Sequence, residues 1–313
     1  MTTIKNQTKH IVDILKKEGT LKHALNRYKF MNKSLSRQAL FRLIHSIRKA
    51  PFLYQLNGFK MFLNPRDLGL SKELFVVGIR EPVCQDKYKQ LLMNNDVIID
   101  IGANLGYYVL IASQKVDTGF IHAIEPIPDN YTLLARNIVA NGLGSRVKTY
   151  NCAIGDNNKK EKIYYGKELN TPSILRADHP NYFYTDVFTL DRFIFTNDIK
   201  PTVVRMDVEG FEYQIINGMK NILKNNTLRV LFIEFHPRIL YDNHLEISEI
   251  FRTIFNHGFK VEVVVKEDSS YDEYQIICDY NKVEPFMRFL RQTKLLYPES
   301  KRAFGAFFIR GCK

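Results

Sequence analysis

The segment VIIDIGANLGYYVLIA, Val97 to Ala112, constrains the fold more than any other stretch of this 313-residue chain. An apolar run ends at Asp100, glycines follow at 102 and 106, and a second apolar run opens at Tyr107. Such a pattern is a buried strand, a tight turn and a helix start, the unit that opens cofactor sites in α/β sheets. Glycine permits the sharp turn and lets backbone come close to a ligand. The loop reads Asp-x-Gly-x-Asn-x-Gly (Asp100, Gly102, Asn104, Gly106) rather than Gly-x-Gly-x-x-Gly.

A carboxylate at Asp100 suits a cationic cofactor better than a pyrophosphate. S-adenosylmethionine carries an ammonium and a sulfonium and no phosphate, so it fits this loop. A nicotinamide dinucleotide does not, because the third glycine is missing and Asp100 would repel phosphate. The helix that starts near Gly106 and Tyr107 leaves unpaired N–H groups able to hold the methionine carboxylate. Asn104 can bridge backbone and ligand. Glu125 closes the next strand 19 residues after Gly106, where an acidic residue accepts both ribose hydroxyls, and Pro126 fixes the turn behind it. Ala153 and Ile154, in NCAIGD, supply apolar contact for an adenine ring.

From Val97 onward strands alternate with helices. The spacing predicts strands at 97–100, 119–124, 146–152, 202–207, 229–235, 259–265, 273–278 and 304–310. Helices are expected near 106–115, 128–140, 211–224, 245–256 and 284–296. This rhythm implies parallel crossovers with helices on both sheet faces. Upstream, Asn57-Gly58 marks a hairpin within 52–63, and 86–93 reads as a short helix. Residues 155–188 break the rhythm with Tyr164, Tyr165, Tyr182, Phe183 and Tyr184. They suit a substrate lid or a hairpin over a sheet edge equally.

Two later strands end in VVRMDVEGFE and VLFIEFHP. In an open α/β sheet, ligands bind beyond the carboxyl ends of strands near the switch point. Asp207, Glu209, Glu234 and His236 are therefore expected to converge opposite the cofactor. Such a set can orient a hydroxyl and take its proton, with His236 as base, Glu209 or Glu234 orienting it, and Asp207 near the cofactor amine or the acceptor. A mixed Asp, Glu and His set also suits a divalent cation, although no dedicated ligand spacing marks one.

Charge is unevenly placed. Residues 1–50 hold 12 Lys and Arg against only Asp13 and Glu18, so +10 of the net +12 lies there. The sequence divides into a basic helical extension, 1–50, and a domain, 51–313. Within 34–49 Leu35, Ala39, Leu40, Leu43, Ile44 and Ile47 fall at helical spacing. A basic helix attracts anionic lipid, nucleic acid or an acidic partner, or packs its apolar face on the body. No apolar run approaches the roughly 18 residues a membrane span needs. The four cysteines show no paired or metal-type spacing. Together these features point to a cytoplasmic protein, with membrane contact confined to the surface.

The ordered set DIGANLGYY, AIEPIPDNYTLLARNIVANG, RMDVEGFEYQIINGM and LFIEFHP resembles the FkbM-type methyltransferases, over about Asn57 to Phe259. The resemblance implies a Rossmann-like class I methyltransferase: a seven-stranded, mostly parallel sheet with one antiparallel strand, here carrying the basic helical extension. It implies methylation of hydroxyls on sugars, glycans or secondary metabolites. Asp100, Gly102, Asn104, Gly106 and Glu125 match its cofactor motif. Asp207 and Glu209 match its Asp-Val-Glu-Gly element, and Glu234 and His236 its acidic-x-His element. Arg205 stands where the pattern usually has lysine, a change expected to matter little. The alternative is an RNA methyltransferase that uses the basic N-terminal helices. Against it, no Asn/Asp-Pro-Pro-aromatic motif and no cysteine nucleophile follow the fourth strand. A non-catalytic binding module gains no support from an intact cofactor loop.

Overall fold

Strand pairing turns the predicted alternation into one large sheet. The computed structural model describes residues 35–56, 58–165, 181–269, 272–298, 300 and 302–311. The sheet holds β3 (Val97–Ile101), β4 (Phe120–Ile124), β5 (Val147–Tyr150), β9 (Val203–Asp207), β10 (Val230–Phe235), β11 (Lys260–Ser269), β12 (Asp272–Tyr280) and β13 (Phe304–Ile309). Its order is β12-β11-β13-β10-β9-β3-β4-β5. The five strands from β10 to β5 are parallel, while β13 runs antiparallel to both β10 and β11. The mostly parallel sheet is as expected, with eight strands rather than seven. Beyond the seven that the resemblance implies is β12, the strand that spacing placed at 273–278, which pairs antiparallel with β11 at the edge.

Each parallel strand is apolar on both sides because helices cover both faces. Successive residues point to opposite faces, so Ile98, Val203 and Val230 enter one core and Ile99, Val204 and Leu231 the other. Helices α4 (Tyr107–Ser113) and α5 (Pro128–Ala140) lie on the first face. Helices α6 (Leu190–Thr196), α7 (Glu212–Asn217), α8 (Lys220–Lys224), α9 (Pro237–Asp242), α10 (Ile247–Asn256) and α11 (Val283–Gln292) lie on the second. The chain winds outward in opposite directions from β3, so the β3/β9 crevice is the switch point.

Several elements depart from the expected pattern. The helix expected over 211–224 is two helices, α7 and α8, parted at Gly218. A Cβ there would stand 1.9 Å from the Gly155 carbonyl oxygen, so the break lets that strand end pass. The expected helix at 86–93 is α3 (Pro82–Leu91), begun earlier by a proline at its first turn. Helices α2 (Leu70–Val76), α6 and α9 were not expected.

Within 155–188 the described residues are mostly in strands. β7 (Lys159–Tyr165) and β8 (Asn181–Thr189) pair antiparallel, and β6 (Ala153–Gly155) joins β8 in parallel as a separate three-stranded sheet. The hairpin tip, 166–180, lies outside the described residues. Upstream, β1 (Phe52–Leu56) and β2 (Phe59–Leu63) form the predicted hairpin. It docks on α5, where the Phe62 N–H donates to Asn137 Oδ1 at 2.6 Å.

Of the basic extension, a helix α1 over 35–47 is described. It anchors on the body through buried Phe41, whose ring meets Phe75 at 5.5 Å. Only part of the expected stripe packs: Ile44 joins Phe41 against the body, while Leu35, Leu40, Leu43 and Ile47 are exposed. Among the described residues, no helix is long and apolar enough to cross a membrane.

Candidate active site

The turn after β3 is held by β4 and β9 together. The N–H groups of Gly102 and Ala103 both donate to the Ile124 carbonyl, at 3.0 and 2.9 Å. Gly102 has φ +78°, and a Cβ on it would lie 2.0 Å from the Asp207 carbonyl oxygen. Only glycine lets the β3 turn pass this close to the end of β9.

Glu125, 3% exposed, ties the turn to the β4 end. Its Oε2 accepts from the Asn104 N–H at 2.8 Å and its Oε1 from the Ile127 N–H at 2.9 Å. Burial pushes its carboxyl up to about 7, against the pull of those two hydrogen bonds and of Asn130. Each carboxylate oxygen keeps lone-pair capacity for a ligand hydroxyl. Asn104 Oδ1 is buried with no partner.

Asp100 departs from its expected role. Its carboxylate is 1% exposed and meets Arg205, with Oδ1 accepting from Nη1 at 2.9 Å. The cause is register: Asp100 and Arg205 are cross-strand neighbours on β3 and β9. Arg205 spends its other end on Asp207, Nη2 to Oδ2 at 3.2 Å, and lies 3.9 Å over the Tyr108 ring. One carboxylate oxygen of Asp100 is thus answered inside the protein by Arg205, while Oδ2 is buried without a partner. Arg205, read from sequence as a neutral replacement, is the cation that joins the donor strand to the acceptor strand.

At the ends of β9 and β10, Asp207 and Glu234 are level with each other. Burial, then the Asp207 charge, hold the Glu234 carboxyl well above the usual range. Glu234 is therefore the protonated partner and donates to Asp207, whose own pKa is lowered: burial opposes this, but Arg205, His236 and Arg80 outweigh it. His236 follows two residues later. Its Nδ1 meets Glu212 Oε1 at 2.6 Å. A carboxylate only accepts, so Nδ1 carries the proton and Nε2 faces Glu209 Oε2 at 3.5 Å and Asp207 Oδ1 at 4.0 Å. Burial alone would lower the histidine; Glu209, Glu212 and Glu234 outweigh it and hold His236 well above the ordinary imidazole value. His236 does not line the cavity and its Nε2 faces the carboxylates of Asp207 and Glu209, so the base role expected of it does not suit this arrangement. Glu209 does suit it. Burial raises its pKa, and its left-handed backbone, φ +49°, turns the carboxylate to the cavity.

One cavity of about 1120 Å³, counted with its open mouth, joins these parts. Of the residues singled out in sequence, Gly102, Asn104, Tyr107, Glu125, Pro126, Ala153, Ile154, Asp207 and Glu209 line it. Asp100, Gly106, Glu234 and His236 do not. Gly106 instead packs the turn on α5, where a Cβ would meet Leu134 at 2.7 Å. Glu234 and His236 stand behind Asp207 and Glu209.

The cavity also has walls that the sequence reading passed over, notably Arg80, Arg205, Phe211 and Ile163. Arg80 pairs with Glu81 and with Glu73 Oε2, the latter at 3.3 Å, and its N–H donates to the Tyr107 hydroxyl at 3.2 Å. Tyr108 donates to Glu81 Oε2 at 2.7 Å. The segment Gly78–Pro82 is thus fastened to the start of α4. Its sequence signal, Arg-Glu-Pro ahead of a helix, was visible but had no partner to read it against.

Comparison with known proteins follows from this geometry. The methyltransferase FkbM domain model matches residues 100–261, more than half of the chain. Hexuronic acid methyltransferase AglP of Haloferax volcanii is 26% identical over 152 residues, covering 46% of this chain and 58% of that protein. Methyltransferase sdnD of Sordaria araneosa is 32% identical over 95 residues, covering 30% of this chain and 37% of that one. The matches therefore span less than two thirds of either relative. The crystal structure of methyltransferase FkbM from Methylobacillus flagellatus superposes with a TM-score of 0.44 at 16% identity, covering 70% of this chain and 45% of that one, too distant a likeness to argue from.

Proposed function

The chain belongs to the FkbM methyltransferase family, and from that premise we propose that it transfers the methyl group of S-adenosylmethionine to a hydroxyl of a sugar, glycan or secondary metabolite. The observation that carries this reading is the single cavity walled at one end by Asn104 and Glu125 and at the other by Asp207 and Glu209. The first end suits a ribose and the second a hydroxyl. The relative that acts on hexuronic acid supports a sugar acceptor.

On this reading Glu125 receives the ribose hydroxyls, and Asn104 Oδ1 takes a further ligand donor. Ala153 and Ile154 flank the adenine. Transfer is an in-line displacement, so the enzyme works by positioning and by receiving a proton. The acceptor oxygen bonds to the methyl carbon as the carbon–sulfur bond breaks. Its proton passes to Glu209, and S-adenosylhomocysteine leaves as a neutral thioether. Asp207, fixed by Arg205 and by the Glu234 hydrogen bond, holds the acceptor hydroxyl. His236, braced by Glu212, sets the position of Glu209.

Labelled S-adenosylmethionine offered to hexuronic-acid oligosaccharides, lipid-linked sugars and RNA tests this function. Label is expected in a sugar fraction as a base-stable methyl ether. Label confined to RNA would transfer the assignment to the nucleic-acid class.

A further inference from the structure

We propose that Asp207, Glu209 and His236 form a binding site for one divalent cation of the Mn²⁺ or Mg²⁺ kind. Building on the hydroxyl methylation proposed above, this cation would meet the acceptor oxygen at the cavity wall.

The first observation is a gap. One ligand atom from each residue can be chosen so that all three lie within 4.8 Å of one another. Yet Nε2 of His236 stands 3.5 Å from Glu209 Oε2 and 4.0 Å from Asp207 Oδ1. Both distances exceed a hydrogen bond, so the three groups face a common space without bonding across it. Around a six-coordinate ion with bonds near 2.1 Å, adjacent ligand atoms sit roughly 3 Å apart, so closure needs inward movement of about 0.5–1 Å.

The second observation is the support behind the histidine. Glu212 is fully buried, and its Oε1 accepts from both His236 Nδ1 and the Gly210 N–H. A carboxylate on the far nitrogen is how metal-binding histidines are oriented, since it frees the other nitrogen and raises its basicity. The third is an excess of buried oxygen. Glu234 Oε2 and Glu212 Oε2 are both shielded and have no hydrogen-bond partner. Glu234 bonds to Asp207, and Glu212 to His236, so both orphaned carboxyls adjoin the proposed ligands. A cation on the three ligands would offset the negative charge gathered here without itself touching Glu212 or Glu234.

Two carboxylates and one imidazole make an oxygen-rich donor set, which favours Mg²⁺ or Mn²⁺ over the softer metals, with the imidazole favouring Mn²⁺. Asp207 and Glu209 line the cavity, so the ion would be open to a ligand there. It would polarise the acceptor hydroxyl as a Lewis acid. The hydroxyl proton passes to the second oxygen of Glu209, the oxygen–methyl bond forms, and the carbon–sulfur bond breaks to leave the neutral thioether.

The test is Mn²⁺ titration of the EDTA-stripped full chain, read by loss of the free-ion electron paramagnetic resonance signal, without S-adenosylmethionine. One ion per chain is expected. Asp207→Asn, Glu209→Gln and His236→Gln should each abolish or weaken binding by at least tenfold, and Glu212→Gln, which touches no ion, by about 10–100-fold. Circular dichroism melting and S-adenosylmethionine binding control for folding of each variant. No bound Mn²⁺ in the wild type, or binding as tight as wild type in His236→Gln and Asp207→Asn, overturns the site. Methyl transfer undiminished in EDTA would defeat the cation while leaving the methyltransferase reading intact. Mn²⁺ held by these residues in a protein that methylates no hydroxyl would do the reverse.

Discussion

The two ends of the cavity are built from the same parts, acidic residues at the carboxyl ends of parallel strands, yet they are held in different ways. At the β3/β4 end the carboxylate is tied by backbone: both oxygens of Glu125 accept N–H groups from the loops they must fix. At the β9/β10 end charged side chains face charged side chains across gaps of 3.5 and 4.0 Å. Buried oxygens without a partner occur at both ends, Asn104 Oδ1 at the first and Glu234 Oε2 at the second. Backbone-tied groups are set before a ligand arrives. Charged groups held apart close on one. The donor end therefore reads as preorganised, the acceptor end as waiting for its partner.

If the division is sound, changes at the two ends should separate binding from turnover. The largest effect is expected at the acceptor end. Glu209→Gln removes the proton acceptor and should lower kcat by about 10²–10⁴-fold, with S-adenosylmethionine affinity unchanged by calorimetry. Affinity falling in step with kcat would mean that the two ends are one. Next comes the bridge between them. Arg205→Met leaves Asp100 as an uncompensated buried charge and should cost about 3–5 kcal/mol in urea unfolding. A near-neutral result would return Arg205 to the minor role first read for it.

Gly102→Ala strikes the contact between the two strand ends. With a Cβ 2.0 Å from the Asp207 carbonyl oxygen, the turn must shift, and S-adenosylmethionine affinity should drop at least about tenfold, the equivalent of 1.4 kcal/mol. The smallest effect is expected from pH. Glu125, pushed up to about 7 by burial, is ionised only above that point. Ribose hydroxyls donate to the ionised form, so affinity should weaken below pH 7, by at most about tenfold per unit, and stay flat in Glu125→Gln. Stability runs the other way. The folded carboxyl binds its proton more tightly than the unfolded one, so the Glu125 contribution is complete below the unfolded value near 4.5 and is lost as pH rises through about 7.

The donor loop was readable in sequence because its signal is local. Gly102, Asn104 and Glu125 lie along one β-turn-α-β run, and chain spacing alone places them. The same holds for the strand ends carrying Asp207 and Glu209. What spacing could not supply was pairing across strands. Asp100 looked like a ligand group until the β3/β9 register set it beside Arg205, 105 residues away in sequence. Nothing in the spacing joined Glu212 to His236 until α7 brought its carboxylate within 2.6 Å of Nδ1. Helix α1 was foreseen with only part of its buried face, Ile44, because its period fits Phe41 inward as well as Leu40. In each case the missing fact was a non-local neighbour, which sets charge and protonation more strongly than residue type does.

The most direct test of the central claim is calorimetric titration of S-adenosylmethionine into the wild type, Glu125→Gln and Asp207→Asn. The account predicts one site per chain in the wild type, affinity about 10–100-fold weaker in Glu125→Gln through two lost charge-assisted hydrogen bonds, and no change in Asp207→Asn. A wild type that does not bind S-adenosylmethionine, or equal losses in the two variants, would contradict it.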